Sequence, residues 1–270
     1  MTYDKPSKKD VFTPLELCRV VKGRHVYGFL VKGVAKTGRM AKLLTAVAEL
    51  ELPLIYIINS TPMEMGRPST FMVFYDFEGL DVKPERVKEV LEEAARSMGL
   101  SVEVEVIEPV IPGFVVDTKH FPVRFLGERA AIFRKSVLEA WFLGVRKRFG
   151  TAAEVFLYYE GVEAGSHIYD DYVKAGIKKE DIWKFLSATL FAGGALSRME
   201  VELGEPTVVK IWDSMECEIG RGSETCFSRW MRGLIAGFAS KYFGKKVSVV
   251  ETRCIAKGDP HCEFIVTLEE

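Results

Sequence analysis

The chain has 270 residues, 48% hydrophobic, 28% charged and 11% aromatic, enough apolar material for one or two full cores. This composition excludes disorder, a collagen repeat and a disulfide scaffold, and 37 basic against 38 acidic residues exclude a global positive field toward nucleic acid or an anionic membrane. Five cysteines, an odd number, with no charged start leading into an apolar signal core, point to a reducing cytoplasm. Charges interrupt every long hydrophobic stretch, so no run approaches the roughly 18 apolar residues that span a bilayer.

Residues 1–23 read as a lysine-rich tail and lead-in. Val26 to Val34 reads as a strand. Thr37 is expected to cap a following helix with Met40, Leu43, Leu44, Val47 and Ala48 on one face. Leu54 to Asn59 and Phe71 to Phe77 suit adjacent strands around a loop from Thr61 to Ser69. Pro84 opens a second helix with Val87, Val90, Leu91, Ala94 and Met98 inward and Gly99 at its C-terminal end, and Val102 to Ile107 closes the unit as a strand. This β-α-β-β-α-β order over residues 24–107 is that of a ferredoxin-like split βαβ sandwich. It resembles the small regulatory domains of the ACT type, in which ligands gather at the glycine turn after the first strand. Ala35-Lys36-Thr37-Gly38 occupies that turn here, but the Asp-x-Pro-Gly sequence of many such domains is absent, so amino-acid binding does not carry over. The blander account of Gly38 is a tight turn alone.

Pro109, Pro112, Gly113 and Pro122 mark residues 108–126 as a linker, and residues 127–270 as a second, α+β domain. Glu128 to Phe149 reads as a long helix with Ile132, Phe133, Val137, Leu138, Trp141, Phe142 and Val145 inward. Ala152 to Val173 and Glu180 to Leu203 read as two more helices, the latter carrying Ile182, Phe185, Leu186, Thr189, Leu190 and Leu196. Val208 to Ile219 is expected as a strand, Trp230 to Phe243 as a helix ended by Gly244, and Val247 to Thr252 and Cys262 to Leu268 as closing strands. Arg146-Lys147-Arg148 and Lys245-Lys246 are taken as solvated helix ends.

The most specific feature runs from Glu251 to Phe264. Cys254 and Cys262 flank a Gly258-Asp259-Pro260 turn that doubles the chain back and brings the two sulfurs together, a placement that suits a tetrahedral zinc. Glu251 offers an oxygen, provided its strand ends or bulges before Cys254, because a regular strand points the two to opposite faces. Cys226 is the leading fourth ligand, with Cys217 and His261 in reserve. Reduced cysteines packed as small apolar residues are the metal-free alternative.

Trp230-x-x-Gly233-x-x-x-Gly237-Phe, then Gly244-Lys-x-Val247-x-Val-x-Glu251-x-x-Cys254-x-x-x-Gly258-Asp259-x-x-Cys262-x-Phe264, resembles the signature of the 4-vinyl reductase domain, a predicted hydrocarbon-binding module. The resemblance extends upstream through Asp213-Ser214-Met215-Glu216 to about Gly127. It implies an α+β fold like that of the vesicle-tethering subunits, homodimers, and an apolar pocket between helices and sheet. Members fused to transcriptional activators sense phenols and related aromatics. They hold a structural zinc by a Glu-x-x-Cys, a cysteine eight positions on, and one upstream cysteine. Glu251, Cys254 and Cys262 match the first three; the upstream position is Ser228 here, with Cys226 two residues earlier.

A zinc with four protein ligands leaves no open position for chemistry. The sequence carries no nucleophile elbow, phosphate loop, zincin helix or dinucleotide fingerprint, and only four histidines. The leading expectation is therefore a non-catalytic sensor or carrier of a small hydrophobic or aromatic molecule. Its C-terminal domain would hold the ligand among helices bearing Trp183, Phe185, Leu186 and Phe191, with an ACT-like domain that transmits or dimerises. His167 is a candidate for bonding a ligand hydroxyl and Trp212 for lining the pocket; a surface histidine and a core tryptophan are the blander readings. A reductase-type enzyme and a dimeric assembly adaptor without ligand are the alternatives, and direct nucleic-acid binding is not expected.

Overall fold

The computed structural model describes residues 25–34, 37–59 and 69–269, and divides the chain into two compact units at residue 131/132. The first contains β1 (Val26–Val34), α1 (Thr37–Ala48), β2 (Leu54–Asn59), β3 (Ser69–Asp76), α2 (Pro84–Ser97) and β4 (Glu103–Ile107). The strands pair antiparallel in the order β2-β3-β1-β4, the split βαβ arrangement expected from the element order. Phe29, Val31, Phe71, Val73 and Val104 bury one face of this sheet with Leu43, Val47, Val87 and Leu91 of the helices. Pro84 stands in the first turn of α2, and Gly99 takes the left-handed conformation (φ 67°) just past its end. The loop at 61–68 and the side chain of Thr37 lie outside the described residues.

Residues 108–131, expected as a linker up to 126, stay with this unit. Val115 packs with Val26, Leu30, Met72, Phe74 and Ile107 on the second face of the sheet. The helix expected from Glu128 starts seven residues later, because β5 (Arg124–Phe125) and β6 (Glu128–Arg129) pair as a hairpin. Its turn places Leu126 and Gly127 both at positive φ, 51° and 86°, the geometry that favours two-residue hairpin turns.

The second unit contains α3 (Lys135–Phe149), α4 (Thr151–Lys174), α5 (Ile182–Ala192), β7 (Arg198–Glu202), β8 (Thr207–Trp212), α6 (Met215–Ile219), α7 (Trp230–Phe243), β9 (Val247–Arg253) and β10 (Cys262–Leu268). Two expected elements are each split. Gly193 and Gly194 (φ 73°) end the helix expected to run to Leu203, and the alternating Arg198-Met-Glu-Val-Glu becomes an edge strand. The strand expected through Ile219 stops at Trp212, where Asp213 turns left-handed (φ 50°) and the next residues coil into α6. Within α3 only Phe142 is buried; Ile132, Phe133 and Trp141, expected inward, are exposed.

The strands form an antiparallel sheet in the order β7-β8-β10-β9. Alternation sends Thr207, Val209 and Ile211, Val247 and Val249, and Phe264 and Val266 to one face. There they form one core with Ile182, Leu186, Leu234 and Phe238 of the helices. Helices α4 and α7 cross at four glycines. A Cβ on Gly161 or Gly165 would lie 2.1 Å or 2.0 Å from the carbonyl oxygens of Trp230 and Leu234, and one on Gly233 or Gly237 would lie 2.0 Å from those of Tyr158 and Val162. Nothing but glycine fits at so close a backbone approach.

Gly237→Ala should therefore lower stability by about 3 kcal/mol, since neither backbone can give way without moving its helix. Gly144→Ala in α3, where an added Cβ meets nothing within 4 Å, should raise it by up to about 1 kcal/mol. Urea denaturation of the two variants measures both.

Candidate metal centre and its surroundings

The tail hairpin is built to bring acidic groups inward at one end of the sheet. Glu251 continues the inward series of β9. Opposite β10 the register shifts, Phe264 pairing with Glu251 and Glu263 with Arg253, so the chain bulges at Thr252. The strand then ends at Arg253, and Cys254 leads into a short 3-10 turn, Ile255–Lys257. The bulge and the strand end together put Glu251 and Cys254 on the same side. Gly258 is left-handed (φ 98°), and the Asp259 carboxylate accepts the Cys254 amide hydrogen at 2.8 Å, fixing the turn that returns the chain to Cys262.

Cys217, Glu251, Cys254 and Cys262 are all buried, with one ligand atom of each lying within 4.8 Å of the others. The fourth member is Cys217, a reserve candidate, and not Cys226. Cys226 is half-buried and its thiol donates to the Glu251 carbonyl oxygen at 3.5 Å, facing the backbone. His261 also stays outside; its ring packs against Trp212, centroids 5.1 Å apart. Ser228 enters the cluster: its Oγ lies 2.7 Å from Cys217 Sγ and 2.8 Å from Glu251 Oε1, and its amide donates to Glu251 Oε2 at 3.1 Å.

These groups repel one another if all are ionised. The Cys254 thiol is held far down, first by hydrogen bonds from the Cys217 and Cys262 thiols and then by backbone amides. Cys217 is driven up by its bonds to Cys254 and Cys262 and by burial. For Cys262 the bond to Cys217 pulls down, but Cys254 and burial win and the thiol is also raised. Burial, then the neighbouring Cys254, pushes the Glu251 carboxyl up to about 8. Protons thus occupy places that a divalent cation would take. The donor set fits one. Three thiolates and a carboxylate make a four-coordinate shell, and the 3.5 Å between Cys217 and Cys254 sulfurs is near the roughly 3.8 Å edge of a tetrahedron with about 2.3 Å metal–sulfur bonds.

Glu216, the neighbour of Cys217, has a second task. Its buried carboxylate accepts the amide hydrogens of Arg229 (2.8 Å), Trp230 (3.2 Å) and Met231 (2.9 Å), the unpaired donors of the first turn of α7. Arg146 Nη2 donates to the same carboxylate and to the Phe227 carbonyl oxygen, both at 3.0 Å, and its guanidinium lies 3.9 Å from the Phe227 ring centroid. Arg146 is therefore not a solvated helix end; its side chain is 12% exposed. Arg229 in turn donates from Nε and Nη2 to Glu154 Oε2 on α4.

The three residues expected to meet a ligand do not converge. His167 is exposed on α4. Trp212, half-buried at the end of β8, alternates to the face opposite Ile211, where the Arg198 guanidinium lies 4.5 Å from its ring centroid. Phe185 packs edge-on against Tyr172, centroids 4.8 Å apart, in an aromatic cluster between α4, α5 and α7. Trp183 joins it, 4.7 Å from Phe238 and 5.8 Å from Tyr242. Tyr172 and Thr189 share a buried hydroxyl–hydroxyl hydrogen bond there. Trp183 is 5% exposed, and its indole N–H finds no hydrogen-bond partner among the described residues. The sequence offered no sign of Glu216 as a cap or of Ser228 as a neighbour of the cluster beyond their place in the motif. The spacing Gly161-x-x-x-Gly165 could have flagged the crossing with Gly233-x-x-x-Gly237.

The family model of the 4-vinyl reductase domain matches residues 207–268, which span the last strands, α6, α7 and the whole cluster. The chain is 30% identical over 151 residues to the uncharacterized protein MJ0150 of Methanocaldococcus jannaschii, covering 56% of this chain and 83% of that protein. Among solved structures, the phenol-responsive sensory domain of the transcription activator PoxR with phenol aligns with a TM-score of 0.47 at 17% identity, covering 53% of this chain and 79% of that one. A vinyl-4-reductase family protein from Methanocaldococcus jannaschii aligns with a TM-score of 0.40 at 16% identity, covering 52% and 85%.

In the metal-free protein the Glu251 carboxyl keeps its proton up to about pH 8 when folded but only to about 4.5 when unfolded. Its contribution to stability should be complete below pH 4.5 and be lost as pH rises through 8. A bound cation displaces that proton, so the metal-loaded protein should instead lose stability on acidification. Denaturation midpoints across this pH range, with and without chelator, check the two opposite slopes.

Proposed function

Because the chain carries a 4-vinyl reductase domain and belongs to the same family as the uncharacterized protein MJ0150, we propose that it is a non-catalytic sensor or carrier, binding a small hydrophobic or aromatic molecule in its C-terminal unit. The observation that carries this reading is the orphaned indole N–H of Trp183. A buried donor without a partner costs about 1–3 kcal/mol, and a ligand bearing one acceptor would relieve that cost. Around it, Phe185, Tyr172, Phe238 and Tyr242 supply apolar walls, and the Tyr172–Thr189 pair supplies hydroxyls. Recognition in this reading passes from His167 and Trp212 to Trp183, with Phe185 retained.

Zinc is the cation we assign to Cys217, Glu251, Cys254 and Cys262, in a structural role. When bound it would tie α6 to both strands of the tail hairpin, and the four side chains leave it no open position for substrate. The reduced thiols this requires suit the cytoplasm. A homodimer is supported by the exposed apolar faces of α3 and α4, where Trp141 (49% exposed), Val155, Phe156 (56%) and Tyr159 lie open. The split βαβ unit would act as an ACT-like regulatory domain, with the shallow groove lined by Gly38, Arg39, Lys42, Ser97 and Met98 as the place for an effector.

Native mass spectrometry tests the whole reading on the full chain. The expected species is a dimer with one zinc per chain and a retained apolar molecule, and Cys254→Ser should lose the zinc. Trp183→Phe should lower ligand retention about tenfold, the worth of one buried hydrogen bond. A wild type of normal stability that carries neither metal nor ligand overturns the proposal; a dimer with zinc and no ligand favours the adaptor reading.

A further inference from the structure

The carboxylate of the metal cluster is held by a single residue. Ser228 is fully buried; its amide donates to Glu251 Oε2 at 3.1 Å while its Oγ lies 2.8 Å from Oε1. The same Oγ lies 2.7 Å from Cys217 Sγ. A serine hydroxyl has one hydrogen to donate. In the protonated cluster this suffices, because the Cys217 thiol can donate to Oγ while Oγ donates to Glu251. Once a cation has replaced the protons on Cys217 and Glu251, both neighbours are acceptors and the hydroxyl can serve only one of them. The amide already holds Oε2, so donation to Oε1 leaves the carboxylate fixed at both oxygens, with its remaining lone pairs directed at the cation.

We infer that residue 228 decides whether the metal takes an oxygen ligand. As serine it is the positioning residue that makes Glu251 the fourth ligand. Its own side chain stands at a latent ligand position, from which a thiolate would make Glu251 dispensable. The second half follows from the same distances. An atom within 2.8 Å of both Cys217 Sγ and Glu251 Oε1 stands at the edge of the volume in which the four ligand atoms gather, and the longer C–S bond of a cysteine would carry its sulfur further. A hydroxyl leaves that place unused for coordination because it stays protonated, whereas a thiol surrenders its proton to solvent on meeting the cation. The inference rests on the metal reading above.

Zinc affinity, measured by competition with a chromogenic chelator, and cobalt(II) absorption, whose sulfur-to-metal charge-transfer intensity counts thiolates, test it on the full chain. Ser228→Ala should bind zinc about 10–100-fold more weakly, with a three-thiolate cobalt spectrum like that of the wild type. Glu251→Ala should fail to retain zinc, and Glu251→Ala with Ser228→Cys should regain it with the spectrum of four thiolates. Ser228→Ala binding as tightly as wild type overturns the inference, as does a folded double variant that binds no better than Glu251→Ala. Ser228→Ala removes one atom and decides the question even if the double variant does not fold. A wild type that takes up no zinc overturns the inference and the metal reading together; a wild type that binds zinc beside unresponsive variants overturns the inference alone.

Discussion

Four ionisable groups with ligand atoms within 4.8 Å of one another, all out of reach of water, set the terms for the C-terminal unit. Four negative charges at that spacing cannot coexist in a medium of low polarity, and four neutral ones leave buried polar atoms competing for few hydrogens. The chain meets the first difficulty by retaining protons on Cys217, Cys262 and Glu251 while directing thiols and amides at Cys254. A divalent cation meets both at once. The local features around the cluster serve this convergence: the bulge at Thr252, the left-handed Gly258 and the Asp259 bond to the Cys254 amide.

The consequences run outward from α6. Cys217 faces the cluster while the preceding Glu216 satisfies the first turn of α7, so a helix of five residues joins the site to the start of a central helix. The segment between them is bonded on both sides. Phe227 N–H and Ser228 N–H donate to the cluster, and Phe227 C=O and the Arg229 side chain engage Arg146 and Glu154 on α3 and α4. Helix α7 then crosses α4 at glycine-to-carbonyl contacts that admit no side chain. Cluster, helix cap and helix crossing therefore form a series in which each fixes the geometry of the next. By contrast, the strand residues on the opposite face of the sheet carry charges in exposed or half-exposed pairs, such as Lys210 with Glu202, which contribute little to stability.

Periodic and punctuated segments were legible in the sequence. Val26–Val34, Leu54–Asn59, Trp230–Phe243 and Cys262–Leu268 stand as their patterns predict, since each has a clear period and a glycine, proline or charge change at its end. The failures share a cause. Residues 128–134, 193–203 and 213–219 keep apolar residues at helix- or strand-like spacing across a break that depends on a single left-handed residue: Leu126 with Gly127, Gly194, and Asp213. Nothing in a periodic pattern distinguishes a residue that turns from one that continues. Trp141 and Phe133 were assigned to the core because an apolar helix face is the same in sequence whether it meets its own protein or another surface.

By itself the sequence determined the class of the two units, the split βαβ order of the first, and the meeting of Cys254 with Cys262, because a Gly-Asp-Pro turn and two short strands leave those sulfurs nowhere else to go. The tertiary structure alone decided that Cys217 completes the cluster while Cys226 turns to the backbone, that Ser228 holds Glu251, and that Arg146 is buried against Glu216. Each of those contacts joins residues on different elements. Their distance is set by how α6 and α7 pack on the sheet, and that packing is a property of the whole core rather than of any local stretch of chain.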